Sequence, residues 1–387
     1  MSNIALLLSG GVDSSVALHL LCAAGEKPDC YYIHIGPDED DSYSCTSDED
    51  IEMCQAVTAK YGVKFEVIDL HKEYWTNVVQ YTMNTLKKGY TPNPDIMCNT
   101  FIKFGVFYDK VGYKYDYIAT GHYATRVGYS EPFRSGPFIS GEFNSSDNIN
   151  WWICPAKDPV KDQVDFIANI NTSIVPISKI IFPIGNLMKD EVRKIAEENH
   201  LINAKRKDSQ GICFIGKINY NQYIDKYLGT NEGNIIDNDT KNIIGKHNGY
   251  WHYTIGQRKG LGLSGGPWFV IGKDIDKNII YVSKNFNESN VTKFYIQNIN
   301  WLTEDLFDIY KHMKDLNDGI LRISVSFKIR HSSEVYKGEL VHNYHTNETY
   351  IESEIPISAA SGQWCTLYDE DYYKCYGCGE IYSKIDL

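Results

Sequence analysis

Over the first 120 residues, short apolar runs alternate with amphipathic stretches. Ile4–Leu8 is a continuous apolar run of strand length. Residues 13–24 follow, with Val16, Leu20 and Ala23 on one helical face. The same reading predicts strands over 30–35, 64–70 and 115–120, and helices over 47–61 and 71–88. Strand and helix in alternation predict an α/β unit: a parallel sheet with helices on both sides, binding its ligand beyond the carboxyl ends of the strands.

The pattern then changes. Residues 126–150 shift to Gly, Ser, Asn and Pro, which predicts a surface loop or hairpin insertion. Residues 187–200 predict a helix. Beyond Lys205, Gly-rich turns separate short runs at 268–271 and 279–283, and strands are expected over 322–329, 334–340 and 349–355. The last hundred residues therefore read as an all-β barrel or sandwich. Three domains are expected: 1–206, a small central one at 207–283, and 284–387.

Net charge is −12, which argues against a nucleic-acid partner until its distribution is considered. Residues 179–273 carry 14 Lys and Arg against 9 Asp and Glu, a locally basic stretch that suits phosphates. No apolar run is long enough to cross a membrane, and no secretion signal is seen at the start. The ten cysteines are expected to be mostly reduced thiols in a cytoplasmic setting, many of them small core residues. Cys375 and Cys378 form a C-x-x-C pair with no second pair at finger spacing, so a barrel hairpin is expected there rather than a zinc site.

Candidate chemistry begins at Ser9-Gly10-Gly11-Val12-Asp13-Ser14-Ser15, after a strand and opening a helix. Two glycines let the backbone curl so that several N–H groups face one anion, and the helix N-terminus adds its dipole. Ser9, Ser14 and Ser15 offer hydroxyls; Asp13 would either cap the helix or hold Mg²⁺. The loop lacks the lysine of a Walker loop.

Two cysteines stand apart from the rest. Cys98 follows Thr91-Pro92-Asn93-Pro94-Asp95, where two prolines stiffen the chain ahead of an expected helix start at Asp95 and Cys98. A thiol there would feel the dipole; burial is the alternative. Cys213 lies in Lys207-Asp208-Ser209-Gln210-Gly211-Ile212-Cys213, a polar and Gly-rich stretch after Lys205 and Arg206. A reactive thiol or persulfide and a structural thiol are both open.

The loop 9–15 resembles the SGGxDS loop of the PP-loop ATP pyrophosphatases. Taken with Thr91–Asn99, Ala119-Thr120-Gly121-His122-Tyr123-Ala124, Lys161-Asp162-Gln163, residues 208–216 and Tyr253-Thr254-Ile255-Gly256-Gln257-Arg258-Lys259, it resembles the tRNA-specific 2-thiouridylase family across nearly the whole chain.

The resemblance implies an N-terminal PP-loop domain, a small central domain and a C-terminal β-barrel. It implies ATP, with Mg²⁺, at Leu8, Ser9, Gly10, Gly11, Val12, Asp13, Ser14 and Ser15, with Ile33 lining the adenine pocket and Gly121 close to the nucleotide. Asn93, Pro94 and Asp95 would meet the target base, with Asp95 as acid or base. His122, Lys161, Asp162, Gln163, Arg330, His331 and Gln363 would contact tRNA. Cys213 would carry persulfide sulfur from an upstream donor protein and Cys98 would resolve it, leaving a disulfide between them. A monomer is expected. The chain departs from the family pattern at Val164-Asp165, where Ser-Tyr is usual, at His331, where Tyr is usual, and in the long insertion after Gly128. Two further readings are a PP-loop ligase acting on a small molecule, disfavoured by the paired thiols, and a non-catalytic tRNA binder, disfavoured by the intact loop. ATP consumption dependent on tRNA separates them.

Overall fold

The computed structural model describes residues 2–36, 47–130, 149–207, 220–313 and 318–383. Cys213, the acidic run at 38–41 and the tip of the expected insertion lie outside them.

The apolar run Ile4–Leu8 forms β1, the centre of a five-stranded parallel sheet. Its neighbours are β2 (Asp29–His34), β3 (Phe65–Asp69), β4 (Tyr117–Thr120) and, beyond the hairpin strands β5 (Thr125–Ser130) and β6 (Ile149–Cys154), the short β7 (Ile180–Ile181). The order across the sheet is β3-β2-β1-β4-β7, with Leu6 opposite Cys30 on one side and Ala119 on the other. All five residues of β1 are buried because helices cover both faces. Ile4, Leu6 and Leu8 enter one core cluster; Ala5 and Leu7 enter the other.

Helix α1 (Val12–Ala23) returns from β1, and α2 (Ser47–Tyr61) joins β2 to β3. The helix expected over 71–88 is interrupted by a π-helical stretch, Trp75–Val79, between His71–Tyr74 and Gln80–Lys87. The Gly- and Asn-rich segment after Thr125 leaves and returns as the two arms of an antiparallel hairpin.

A second sheet holds β8 (Gly233–Asp237), β9 (Ile243–His247), β10 (Phe269–Asp274) and β11 (Ile279–Ser283) in the order β10-β11-β8-β9, around Ile235, Val270, Ile280 and Val282. The C-terminal strands are β12 (Val291–Trp301), β13 (Ile320–Lys328), β14 (Tyr336–Asn343), β15 (Glu348–Ile357), β16 (Trp364–Tyr368) and β17 (Cys375–Tyr382). They close into a barrel, β12-β15-β14-β13-β16-β17. Alternation selects the inside: Leu321, Ile323, Val325 and Phe327 of β13 point to the barrel core, while Arg322 and Ser324 are exposed.

One apolar cluster runs across all three parts. Ile96, Cys98 and Phe107 from the first, Tyr223 and Trp251 from the second, and Trp364, Tyr368, Cys375 and Cys378 from the barrel wall belong to it. That shared core fixes the barrel against the parallel sheet.

Candidate active site

Strand order reverses between β1 and β4, so the loops after these two strands bound the crevice where open α/β sheets bind ligands. The loop after β1 is Ser9–Ser15. Gly10 sits at φ +72°, and a Cβ there would fall 2.8 Å from the backbone oxygen of Asp50. Only glycine fits that combination. Gly11 caps α1 and, being glycine, offers the helix no side-chain acceptor; its own N–H donates to Ser9 Oγ at 3.4 Å.

The hydroxyls hold the loop together. Ser14 and Ser15 Oγ donate to Gly11 O at 3.2 and 3.0 Å, and Ser9 N–H donates to Ser14 Oγ at 3.2 Å. Ser14 and Ser15 are buried and Ser9 is exposed, so Ser9 is the hydroxyl that meets solvent. After β4, Gly121 packs where a Cβ would lie 2.8 Å from Ser14 N and Cα. Its lack of a side chain lets β4 close onto the loop. Ile33, the penultimate residue of β2, is half-buried against the core.

Four residues outside the motif complete the cradle. Asn203, buried, donates its side-chain amide to Gly10 O (2.9 Å), Gly11 O (3.2 Å) and Ser15 Oγ (2.8 Å). Arg206 reaches Gly10 O at 3.1 Å and pairs with Asp50 in the first turn of α2. Asp13 does not cap the helix: its carboxylate accepts from Lys189 Nζ at 2.7 and 3.0 Å and from Tyr123 Oη at 2.9 Å. Lys189 opens the helix Lys189–Glu198, 176 positions from Asp13, and supplies the cation that the loop lacks.

The second element is a continuous helical stretch over 94–110. Pro94 occupies its first turn and Asn93 caps it, Oδ1 accepting from Ile96 N–H at 3.2 Å. Asp95 is in that first turn. Cys98 is not at the helix start, as expected, but one turn later, 3 % exposed, where it opens the π-helical segment Cys98–Val106. The dipole fades within a turn, so the caps act on Asp95 more than on the thiol. Phe104 of this segment lies against His122, ring centroids 6.4 Å apart. His122 itself is buried after β4 with Nδ1 2.8 Å from Thr120 Oγ1; burial first, then the nearby Lys103, hold its imidazole well below the usual range and neutral.

The residues expected to meet tRNA fall into two groups. Asn93, Pro94 and Asp95 follow a turn gripped from both other parts of the molecule. Thr91 N–H donates to Ser361 O of the barrel (2.8 Å) and Thr91 Oγ1 to Thr254 Oγ1 of the central sheet (3.1 Å). Tyr250 and Lys273 add bonds to Lys87 O and Gly89 O. Gln363 ends the same 358–363 loop, and Arg330 donates to Ser358 O at 3.1 Å, so both are brought to this junction. The other group is His122 with Lys161, Asp162 and Gln163. Lys161 and Gln163 are half-buried, but the Asp162 carboxylate is 1 % exposed and faces Lys328 of β13 at 3.3 Å. His331, exposed, pairs with Asp165 at 3.2 Å, joining two of the departures noted above in one contact.

Among the described residues no cluster of His, Cys, Asp or Glu has metal-holding geometry. Cys375 and Cys378 lie fully buried on β17. Trp151 and Trp152 pack under Arg126 and Lys374. No described helix is long and apolar enough to cross a membrane.

Comparison with known proteins decides the family. The profile described as tRNA methyl transferase HUP domain matches residues 2–217, and the tRNA methyl transferase PRC-barrel domain matches 221–284. The tRNA-specific 2-thiouridylase MnmA of Porphyromonas gingivalis is 49 % identical over 98 % of this chain and 99 % of its own length. MnmA 1 of Bacteroides thetaiotaomicron is 48 % identical, again over 98 % and 99 %. This chain belongs to the tRNA-specific 2-thiouridylase family. In this 2-thiouridylase-family chain the 9–15 loop follows β1, and the Cys98 helix approaches the end of the neighbouring β4 through Phe104 and His122. Sequence reading located both. It missed Lys189 and Asn203, whose only signal was polarity within otherwise ordinary helical and loop segments, and gave no role to Tyr123, which lies in the quoted 119–124 motif.

Proposed function

We propose that this protein replaces O2 of a tRNA wobble uridine with sulfur, in tRNAs for Lys, Glu and Gln, using ATP to activate the oxygen. The observation that carries this reading is that the glycine loop opening α1 and His122, which lies against Phe104 of the Cys98 helix, follow the carboxyl ends of the neighbouring strands β1 and β4. Full-length similarity to 2-thiouridylases supports it.

ATP lies with its phosphates on the first-turn N–H groups of α1, flanked by Ser9, Arg206 and Lys189, with Leu8 and Val12 beneath and Ile33 toward the base. Mg²⁺ fits as a partner of the nucleotide: it takes one or two carboxylates plus phosphate oxygens, and Asp13 is the loop's own carboxylate. When bound it supplies charge neutralisation on the phosphates. Uridine O2 attacks the α-phosphorus and pyrophosphate leaves, so C2 gains AMP as a leaving group. The terminal sulfur of a Cys213 persulfide, loaded by a donor protein, attacks C2 and AMP departs. Cys98 thiolate then attacks the inner Cys213 sulfur, forming a Cys98–Cys213 disulfide and freeing the thiouridine. A two-electron thiol reductant resets the pair. Asp95, at the capped helix start beside Asn93 and Pro94, handles the proton. The base must leave its stack to reach this edge, at a cost of a few kcal/mol. The 87–95 junction, with Gln363 and Arg330, is the surface that receives it.

The test is nucleoside mass spectrometry of tRNA treated with Cys98→Ser and Cys213→Ser proteins. Each is expected to bind tRNA and cleave ATP yet to make no 2-thiouridine. Wild-type yield from either variant would remove that cysteine from the reaction.

A further inference from the structure

Residues 156–163 are wired to the nucleotide loop on one side and to the barrel on the other. The carboxylate of Asp158, buried, accepts from Val160 N–H (3.0 Å), Lys161 N–H (3.2 Å) and Lys189 N–H (2.9 Å). Lys189 in turn sets its Nζ on Asp13. Gln163 makes a reciprocal pair with Tyr123: its N–H donates to Tyr123 O at 2.8 Å and its Oε1 accepts from Tyr123 N–H at 3.0 Å. Tyr123 Oη then donates to Asp13 at 2.9 Å. Two independent routes from one loop converge on one carboxylate of the nucleotide loop.

On the far side Asp162 accepts from Ala156 N–H (3.0 Å) and Tyr372 Oη (3.1 Å) and pairs with Lys328 Nζ (3.3 Å). Lys328 also lies 3.8 Å from Asp165, the partner of His331. Lys328 ends β13, two positions before Arg330. A buried ion pair is a weak source of stability, because desolvation offsets the attraction and an apolar pair of similar size often does as well. What it does provide is a geometry intolerant of displacement: sliding the barrel against the loop would leave a charge unpaired in a dry interior.

We propose that Tyr123, Asp158, Asp162 and Lys328 are positioning residues that transmit the seating of RNA at the Arg330-His331 end of the barrel to Asp13, so that ATP cleavage depends on docked RNA. This rests on the assignment of the 9–15 loop to ATP.

The test is a double-mutant cycle on the full-length chain with an unmodified tRNA transcript, a persulfide donor and a thiol reductant, following pyrophosphate release from ATP. One arm is Tyr123→Phe. The other is Lys328→Met combined with Asp162→Asn, which removes both members of the buried pair and leaves Asp165 with His331 alone; Tyr372→Phe, which only removes one bond to Asp162, replaces it should that variant not fold. Each arm is expected to lower kcat about tenfold with KM for tRNA within about twofold, and the combination to be no worse than its weaker parent. Lys328→Arg, which keeps the charge, should retain most of kcat. A purely structural role would shift the melting temperature without this split. Losses that multiply, or a rise in KM for tRNA at unchanged kcat, overturn the relay. If the wild-type protein cleaves no ATP with tRNA present, the loop assignment itself falls, and the relay with it.

Discussion

The central strand of the parallel sheet is apolar throughout and the barrel strands alternate, and the two regions put their polar groups in different places. In the sheet, β1 is buried on both faces and contributes nothing reactive itself. Its strand order reverses beside β4, and the gap so created holds every element of the nucleotide loop. The barrel closes on itself and has no such gap. Its interior is filled by Leu321, Val325, Phe327, Ile351, Cys365 and Leu367, and its polar contributions come from its ends and loops: Lys328 at the end of β13 with Arg330 and His331 after it, Ser361 and Gln363 before β16, and Tyr372 before β17. Cysteines make the contrast plain. Cys365, Cys375 and Cys378 are fully buried and burial pushes their thiols far up, so they stay protonated and inert. Cys98 is buried too, but on a π-helical segment that opens from the capped Asn93-Pro94-Asp95 turn. Residue type and burial alone therefore do not separate Cys98 from the barrel cysteines; its backbone setting does.

Substitutions can break this contrast. The largest effect is expected from Gly10→Val, since a β-branched side chain at φ +72° strains the backbone and collides with Asp50. tRNA-dependent ATP cleavage should fall on the order of 10³-fold while tRNA retention on a filter stays. Lys189→Met removes the cation beside Asp13 and should lower kcat/KM for ATP about 10²-fold in the same assay. On the barrel side, Cys365→Ala deletes a fully buried thiol. It should cost about 1–2 kcal/mol in urea unfolding and leave 2-thiouridine formation within about twofold. A large loss of activity there would erase the distinction between the two regions.

The smallest expected effect is alkaline. Burial pushes the Cys54 and Cys154 thiols up to about 12, from an ordinary value of 9.0. The unfolded chain therefore releases these protons first. Their contribution to stability is complete below pH 9 and is lost as pH rises from there towards 12. At pH 10 each should subtract about 1 kcal/mol, read as a falling urea midpoint between pH 8 and 10. A flat profile would mean that these thiols are open to solvent.

Periodicity alone located β1, α2 and β11 to the residue, because a continuous apolar run or a helical stripe is a local property of the chain. The loop 9–15 and a helix start close to Asp95 were equally legible, since glycine and proline act on their own backbone; the Asn93 cap, which sets that start at Pro94, was not read. The π-helical interruption at Trp75–Val79 left no such mark, being a matter of packing between turns.

The chain order thus determined most of the elements, the glycine loop at 9–15 and the stiff turn before Cys98. Folding alone decided what faces what: that Lys189 meets Asp13 across 176 positions, that Asp162 turns inward to Lys328 across 166, and that Thr91 is gripped by two other parts of the molecule. Charge pairs and hydrogen bonds act over a few ångströms in space and carry no signature of separation along the chain, so a sequence names the donors and acceptors and leaves their partners open.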